Sequence, residues 1–255
     1  MVRLVSGVIL AAAAIAAILF LPLDGLRLLA VITAALAAHE YLIIAGVRGR
    51  RRQWTAVLAT ALLCGTLAWE WRPDATVVLL IALAWLAAEV LFDATPVEEA
   101  AAALLAPVYL AVPLALLVLV HSAHGAHATL LLIAVIIVSD SSQYYTGRAF
   151  GRRPLAPAIS PKKTVEGAVG GLVLGTAFAA AAGRWLFPES GLAGLVILGA
   201  ALVLLGIGGD LFESRLKRAA GVKDSSSLIP GHGGILDRID ALLFAAPAFF
   251  LYVRG

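Results

Sequence analysis

Apolar stretches of about 20 residues recur from one end of this sequence to the other. About 20 residues at 1.5 Å of rise each carry a helix across the hydrocarbon core of a bilayer, so this recurrence restricts the chain to a membrane fold. Nine such segments fall near residues 4 to 22, 26 to 47, 54 to 71, 75 to 92, 100 to 120, 127 to 146, 164 to 187, 191 to 213 and 236 to 254. Hydrocarbon offers backbone N–H and C=O groups no partner, which leaves helices or a closed barrel, and the segments lack the strict alternation of barrel strands. The expected fold is therefore all-α, a polytopic transmembrane helical bundle of about nine spans forming one integral membrane domain over residues 1–255. With 62% hydrophobic and 14% charged residues, the chain could not cover a water-facing surface.

The basic residues are distributed unevenly. With nine spans, the N-terminus and the loops after the second, fourth, sixth and eighth spans share one side of the membrane, and 15 of the 19 Lys and Arg residues fall there. The remainder, Arg27, Arg72, Arg184 and Arg254, fall opposite. The positive-inside rule then places the N-terminus and the basic loops in the cytoplasm. The first apolar run is expected to be a retained span, because Leu21-Pro22-Leu23-Asp24 is a poor site for signal cleavage. The one cysteine, Cys64, excludes an intrachain disulfide framework and a cysteine metal cluster. No nucleic-acid partner is expected.

Charge of both signs is dense from Gly208 to Asp240, GGDLFESRLKRAAGVKDSSSLIPGHGGILDRID. Such a cluster abutting membrane helices points to a hydrated, functional cavity. Helical spacing puts Asp210, Ser214 and Lys217 on one face, with Glu213 beside them, while Asp237 and Asp240 project together from the start of the last helix. Carboxylates from two helix ends suit Mg²⁺, a hard cation that shares its shell with water and substrate phosphate. Lys217, Arg218, Lys223 and Arg238 suit phosphate oxygens. Between them, Pro230-Gly231-His232-Gly233-Gly234 is a turn whose glycines allow backbone N–H groups close to an anion. Together these groups describe a nucleotide-triphosphate site.

Ser214-x-x-Lys217-Arg218, then Lys223-Asp224, then Pro230-x-His232-Gly233-Gly234-x-x-Asp237-Arg238-x-Asp240 resembles the signature of the phosphatidate cytidylyltransferase family. Members of that family often carry Ser-Gly after the Lys-Asp pair, where this chain has Ser225-Ser226-Ser227. Asp140, Tyr144, Gly147 and Arg148, and the run Ser160-Pro161-Lys162-Lys163-Thr164-Val165-Glu166-Gly167, resemble two further family segments. Ser160 is expected to cap a helix beginning at Pro161, leaving its free N–H groups near the two lysines.

The resemblance implies that CTP and phosphatidic acid react to give CDP-diacylglycerol and pyrophosphate, in the inner membrane of a bacterium with the active site facing the cytoplasm. It implies Mg²⁺ held by Asp210 and Asp237, with room for a second cation. The catalytic group is expected to comprise Lys217, Arg218, Lys223, Asp224, His232, Arg238 and Asp240. Substrate contacts are expected from Asp140, Tyr144, Arg148, Ser160, Lys162, Lys163, Thr164, Glu166, Ser214, Gly233 and Gly234. The alternatives are a cytidylyltransferase for an isoprenoid-ether phosphatidate, a polytopic anion transporter, and a noncatalytic lipid-binding scaffold. Gly167, Gly171, Gly175, Ala179 and Gly183 form a small-residue stripe that serves either packing within the chain or a homodimer. His39, Glu40 and Glu89 lie within spans, as candidate functional groups or satisfied internal contacts. His121, His124 and His127 read as an external loop.

Overall fold

The computed structural model describes residues 2–70, 74–93, 95–229, 231 and 233–254, without the side chains of residues 2–6. His232, expected in the catalytic group, lies outside the described residues. The elements are α1 Val2–Phe20, α2 Leu23–Ile44, α3 Arg50–Ala68, α4 Ala75–Leu91, α5 Val97–Ala106, a π-helical turn Pro107–Ala111, α6 Val112–Phe150, strands β1 Pro154–Ala156 and β2 Ser160–Thr164, then α7 Val165–Leu186, α8 Leu192–Ala219 and α9 Leu236–Arg254. The fold is an all-α membrane bundle with one small antiparallel hairpin, β1–β2, in a connecting loop.

Helical segments follow one another directly from Val97 to Phe150, a stretch of 54 residues. A straight helix of that length would measure roughly 80 Å, far beyond the bilayer core. Gly125 breaks it: its φ of 76° is left-handed and its ψ of −178° is extended, a conformation costly for any residue with a Cβ. The break falls between the expected fifth and sixth segments. By length and composition, four stretches can cross a membrane among the described residues: Leu23–Ile44, Val97–Phe150, Val165–Leu186 and Leu192–Ala219. Gly7–Phe20 and Ala75–Leu91 are apolar but shorter.

Two apolar cores hold the bundle together. One joins α2, α3, α5, the π-helical turn and the start of α9, around Tyr41, Leu42, Cys64, Leu110 and Leu243. The other joins the second half of α6 with α7, α8 and the end of α9, around Leu132, Val135, Leu202, Val203 and Phe249. Helix α9 thus belongs to both. Outward rows such as Val77, Leu79, Leu80 and Ile81 on α4, or Val169 and Val173 on α7, remain exposed. Surface this apolar is suited to acyl chains rather than water.

The small-residue stripe of α7 is occupied within the chain. A Cβ on Gly171 would stand 2.3 Å from Gln143 Cγ and 2.9 Å from the Ser139 carbonyl oxygen of α6, and one on Gly175 would stand 2.7 Å from Val203 Cγ2 of α8. The glycines are there because two neighbouring helices approach that closely. A homodimer would have to use another face.

The start of α7 differs from expectation. Ser160 and Pro161 lie in strand β2, paired with β1, and do not begin a helix. The cap is Thr164, extended at φ −118° and ψ 154°, whose Oγ1 accepts from the Gly167 N–H. Pairing with β1 offers residues 160–164 backbone partners that a helix beginning at Pro161 would have to forgo, and Thr164 is a good cap in its own right.

Candidate active site

Helix α8 ends in a Schellman motif: Val222 N–H donates to the Lys217 carbonyl and Gly221 N–H to that of Arg218, with Gly221 at φ 71°. This sharp stop turns the chain into the loop of residues 223–235, which leads to α9. The last turns of α8 therefore face the first turn of α9 across a short loop, and the acidic and basic residues of both meet there.

Lys217 is the centre of that meeting. Its Nζ donates to Asp237 Oδ1 at 2.5 Å and also to Glu213 Oε2, one turn back on α8. Glu213 is fully buried, and its Oε1 has no hydrogen-bond partner among the described residues. Asp237 is better provided for. Its Oδ2 accepts from the N–H groups of Ser225 and Gly234 at 2.8 and 2.7 Å and lies 2.8 Å from Ser225 Oγ. Gly234, in the turn expected to approach an anion, thus directs its N–H to an internal carboxylate. Gly233 sits at φ 79°, and a Cβ there would lie 2.4 Å from Asp237 Oδ2, so glycine is required by both backbone and space.

The hairpin adds a residue from another part of the chain. Lys163 reaches Asp210 of α8, whose other oxygen accepts from Ser214 Oγ at 3.2 Å. The hairpin itself is braced by Glu166, whose carboxylate accepts from the N–H groups of Arg152 and Arg153 at 3.0 and 3.2 Å. The charges of Lys163, Asp210 and Arg238 all act on Asp140 of α6, and those of Asp210, Lys217 and Lys163 act on Asp240. Asp140, Lys163, Asp210, Lys217, Asp237, Arg238 and Asp240 therefore form one electrostatic cluster, drawn from α6, the hairpin, α8 and α9.

Other expected residues stand apart. Tyr144 and Arg148 are exposed near the end of α6, where Arg148 Nη1 donates to Tyr144 Oη at 3.3 Å. Arg218 is exposed and donates to the Val222 carbonyl, closing the end of α8. Lys162, Lys223 and Asp224 are exposed and form no ion pair among the described residues, and Arg238, within the cluster, is likewise exposed and without one. Ser160 is half-buried in β2, and Thr164 serves as the α7 cap.

One residue that sequence left undecided proves central. Glu40, near the end of α2 and 4% exposed, accepts from Ser226 Oγ at 2.7 Å and Ile235 N–H at 3.1 Å on one oxygen, and from Ser225 Oγ at 2.9 Å and Leu236 N–H at 2.8 Å on the other. Its place inside an apolar span was the only signal available, because its partners lie about 190 residues further along the chain. The same contact accounts for Ser226, which stands where relatives of the resembled family often carry glycine: its hydroxyl is used. Glu89, the other undecided acid, pairs with Arg51 and Arg52. It belongs to a polar clasp between α3 and the end of α4.

Among the described residues, the donors that the cluster offers a cation are carboxylate and hydroxyl oxygens, which suit Mg²⁺ better than a softer metal. Among the described residues no three of His, Cys, Asp and Glu converge as a ready-made cage. Asp210 and Asp237 are each held by a lysine instead. The donor set fits a cation that completes its shell with substrate phosphate and water.

Comparison with known proteins agrees over the whole length: the sequence profile described as the cytidylyltransferase family matches residues 1–255. A phosphatidate cytidylyltransferase of Haemophilus influenzae is 47% identical over 133 residues, which are 51% of this chain and 46% of that one. Proteins of the same name from Aquifex aeolicus and Pseudomonas aeruginosa are 44% identical over 122 residues and 46% over 123, covering 48% and 47% of this chain and 45% of each relative. The matching part of the chain thus spans about half the length of these curated relatives.

Proposed function

This chain belongs to the cytidylyltransferase family, and from that premise we propose that it transfers the cytidylyl group of CTP to phosphatidic acid, forming CDP-diacylglycerol. The observation that carries the reading is the Lys163–Asp210 pair. It joins the Ser160–Gly167 segment to the charged stretch from Gly208 to Asp240, far apart in sequence, on the same helix from which Lys217 reaches Asp237. An oxygen of the phosphatidate phosphate attacks the α-phosphorus of CTP, the bond from that phosphorus to the oxygen bridging to the β-phosphate breaks, and pyrophosphate leaves. No protein nucleophile is needed, so the residues position and neutralise.

Lys162, Lys223 and Arg238, exposed and unpaired among the described residues, are suited to the phosphates of both substrates. Asp210 and Asp237 would hold Mg²⁺, with Asp240, Asp140 and Asp224 as further oxygen donors for it or for a second cation. When bound, that ion supplies positive charge opposite the leaving pyrophosphate. Lys163 and Lys217 hold the two carboxylates in place and can turn to phosphate oxygens once substrates arrive. The distribution of Lys and Arg supports an inner-membrane protein with its N-terminus and this cluster on the cytoplasmic side, where CTP is supplied.

The test is pyrophosphate release by the purified protein given CTP, Mg²⁺ and phosphatidate, with each omitted in turn. Release is expected only with all three present, and Asp210→Ala or Asp237→Ala should abolish it in protein that still inserts and purifies. An anion transporter would move substrate without releasing pyrophosphate. Near-normal release by both variants would remove the assigned roles.

A further inference from the structure

The first N–H groups of helix α9 find their acceptor on another helix. The two residues before Ile235 are Gly233 and Gly234, which carry no side chain to accept the free N–H groups of the first turn. The acceptor comes from α2 instead: both oxygens of Glu40 take one of these amides each, Ile235 N–H and Leu236 N–H. A carboxylate at a helix N-terminus is favoured by the helix dipole as well as by the hydrogen bonds. Gly234 is small for the same reason. A Cβ there would lie 2.3 Å from Glu40 Oε2 and 2.2 Å from Ser225 Oγ.

Glu40 also grips the other end of the loop through the hydroxyls of Ser225 and Ser226. Ser225 Oγ stands 2.9 Å from Glu40 Oε2 and 2.8 Å from Asp237 Oδ2. A hydroxyl has one proton to donate, so these two carboxylates share it, and any displacement of Glu40 alters the bonding of Asp237. Four donors converge on this buried side chain, two from residues 225–226 next to Asp224 and two from residues 235–236 at the start of α9, and none of the four is a cation. Simple packing of α2 against the bundle does not require that arrangement.

We propose that Glu40 is a positioning residue for cytidylyl transfer, acting through Ser225, Ser226 and the first turn of α9 to hold the loop of residues 223–235 and Asp237 in working geometry. The inference rests on the proposed function for its kinetic part and on the hydrogen bonds alone for its structural part. Glu40 touches no substrate. It sets where Asp237 and the Lys223–Asp224 pair stand, so its loss lowers turnover even when substrates saturate the enzyme.

The test uses the full chain in lipid nanodiscs, comparing Glu40→Gln with the parent protein by hydrogen exchange and by steady-state kinetics. Glutamine keeps the size but replaces one acceptor oxygen by an N–H₂ group. Exchange at Ile235 and Leu236 should quicken at least tenfold while α7 exchanges as before, and kcat should fall at least tenfold with KM for CTP changed less than threefold. Uniformly faster exchange, or faster exchange at the loop with unchanged kcat, would show a structural clamp only and overturn the proposal. Parent-like values in both measurements would overturn it too. Should Glu40→Gln fail to fold, Ser226→Ala removes one of the four donors from the loop side: several-fold effects in the same two readouts support the proposal, and parent-like behaviour overturns it. A parent protein that releases no pyrophosphate would refute the proposed function and with it the kinetic role, while the exchange data would still decide the tether.

Discussion

Lys217→Met isolates the energetics of the cluster. The substitution keeps an unbranched, apolar side chain and removes the ammonium that Glu213 and Asp237 share. The two acids are affected unequally. Asp237 retains the N–H groups of Ser225 and Gly234 and the Ser225 hydroxyl. Among the described residues Glu213 retains no side-chain partner once Lys217 is gone: its Oε1 is already without one, and its exposure is 0%. Stranding one member of a buried ion pair costs about 3–5 kcal/mol, and nearly all of that falls on Glu213. The equilibrium for opening the fold should therefore shift by roughly 100-fold to several thousandfold. The assay is labelling of Cys64 by a thiol-reactive dye along a denaturant series in mild detergent, since this lone cysteine is 0% exposed within the first core and reacts only when that core opens. The double variant Glu213→Gln/Lys217→Met removes the stranded charge and should recover more than half of the loss. A cost under about 1 kcal/mol for Lys217→Met, or a double variant that is worse than either single one, would refute the reasoning.

Two further outcomes follow from separate parts of the structure. Gly171→Ala places a Cβ 2.9 Å from the Ser139 carbonyl oxygen and should destabilise by about 1–3 kcal/mol, whereas Gly65→Ala, with only Val31 Cγ2 at 3.7 Å, should be neutral or stabilising by up to about 1 kcal/mol; the Cys64 labelling series distinguishes them. Arg238→Ala should lower kcat/KM for CTP by about tenfold or more, the worth of one charge-assisted hydrogen bond, while leaving the unfolding midpoint within error, because this exposed arginine forms no ion pair within the chain among the described residues.

Much of the architecture was open to inspection in the sequence because the bilayer makes demands on each segment separately. Span length, apolar composition and the uneven placement of arginine and lysine are local properties, and the break at Gly125 sits where glycine weakens the helical pattern. The signature at Asp210, Lys217, Asp237 and Asp240 was equally visible, since residue type at fixed spacing is written along the chain. Crossing is less fully decided, because α3 opens on Arg50, Arg51 and Arg52 and α9 on Asp237, Arg238 and Asp240, and length with composition singles out four stretches.

What the tertiary structure alone decided is which groups satisfy one another. Composition could not distinguish a helix start at Pro161 from a strand, because the partner that made residues 160–164 a strand is β1, which offers backbone hydrogen bonds rather than a side-chain pattern. The stripe from Gly167 to Gly183 announced a close approach but not its partner, which the paths of α6 and α8 supply. Glu40 is the clearest case. A buried carboxylate must find donors, but nothing along the sequence says that they will be two serines and two amides at the far end of the chain, brought to α2 only when α9 packs into the first core.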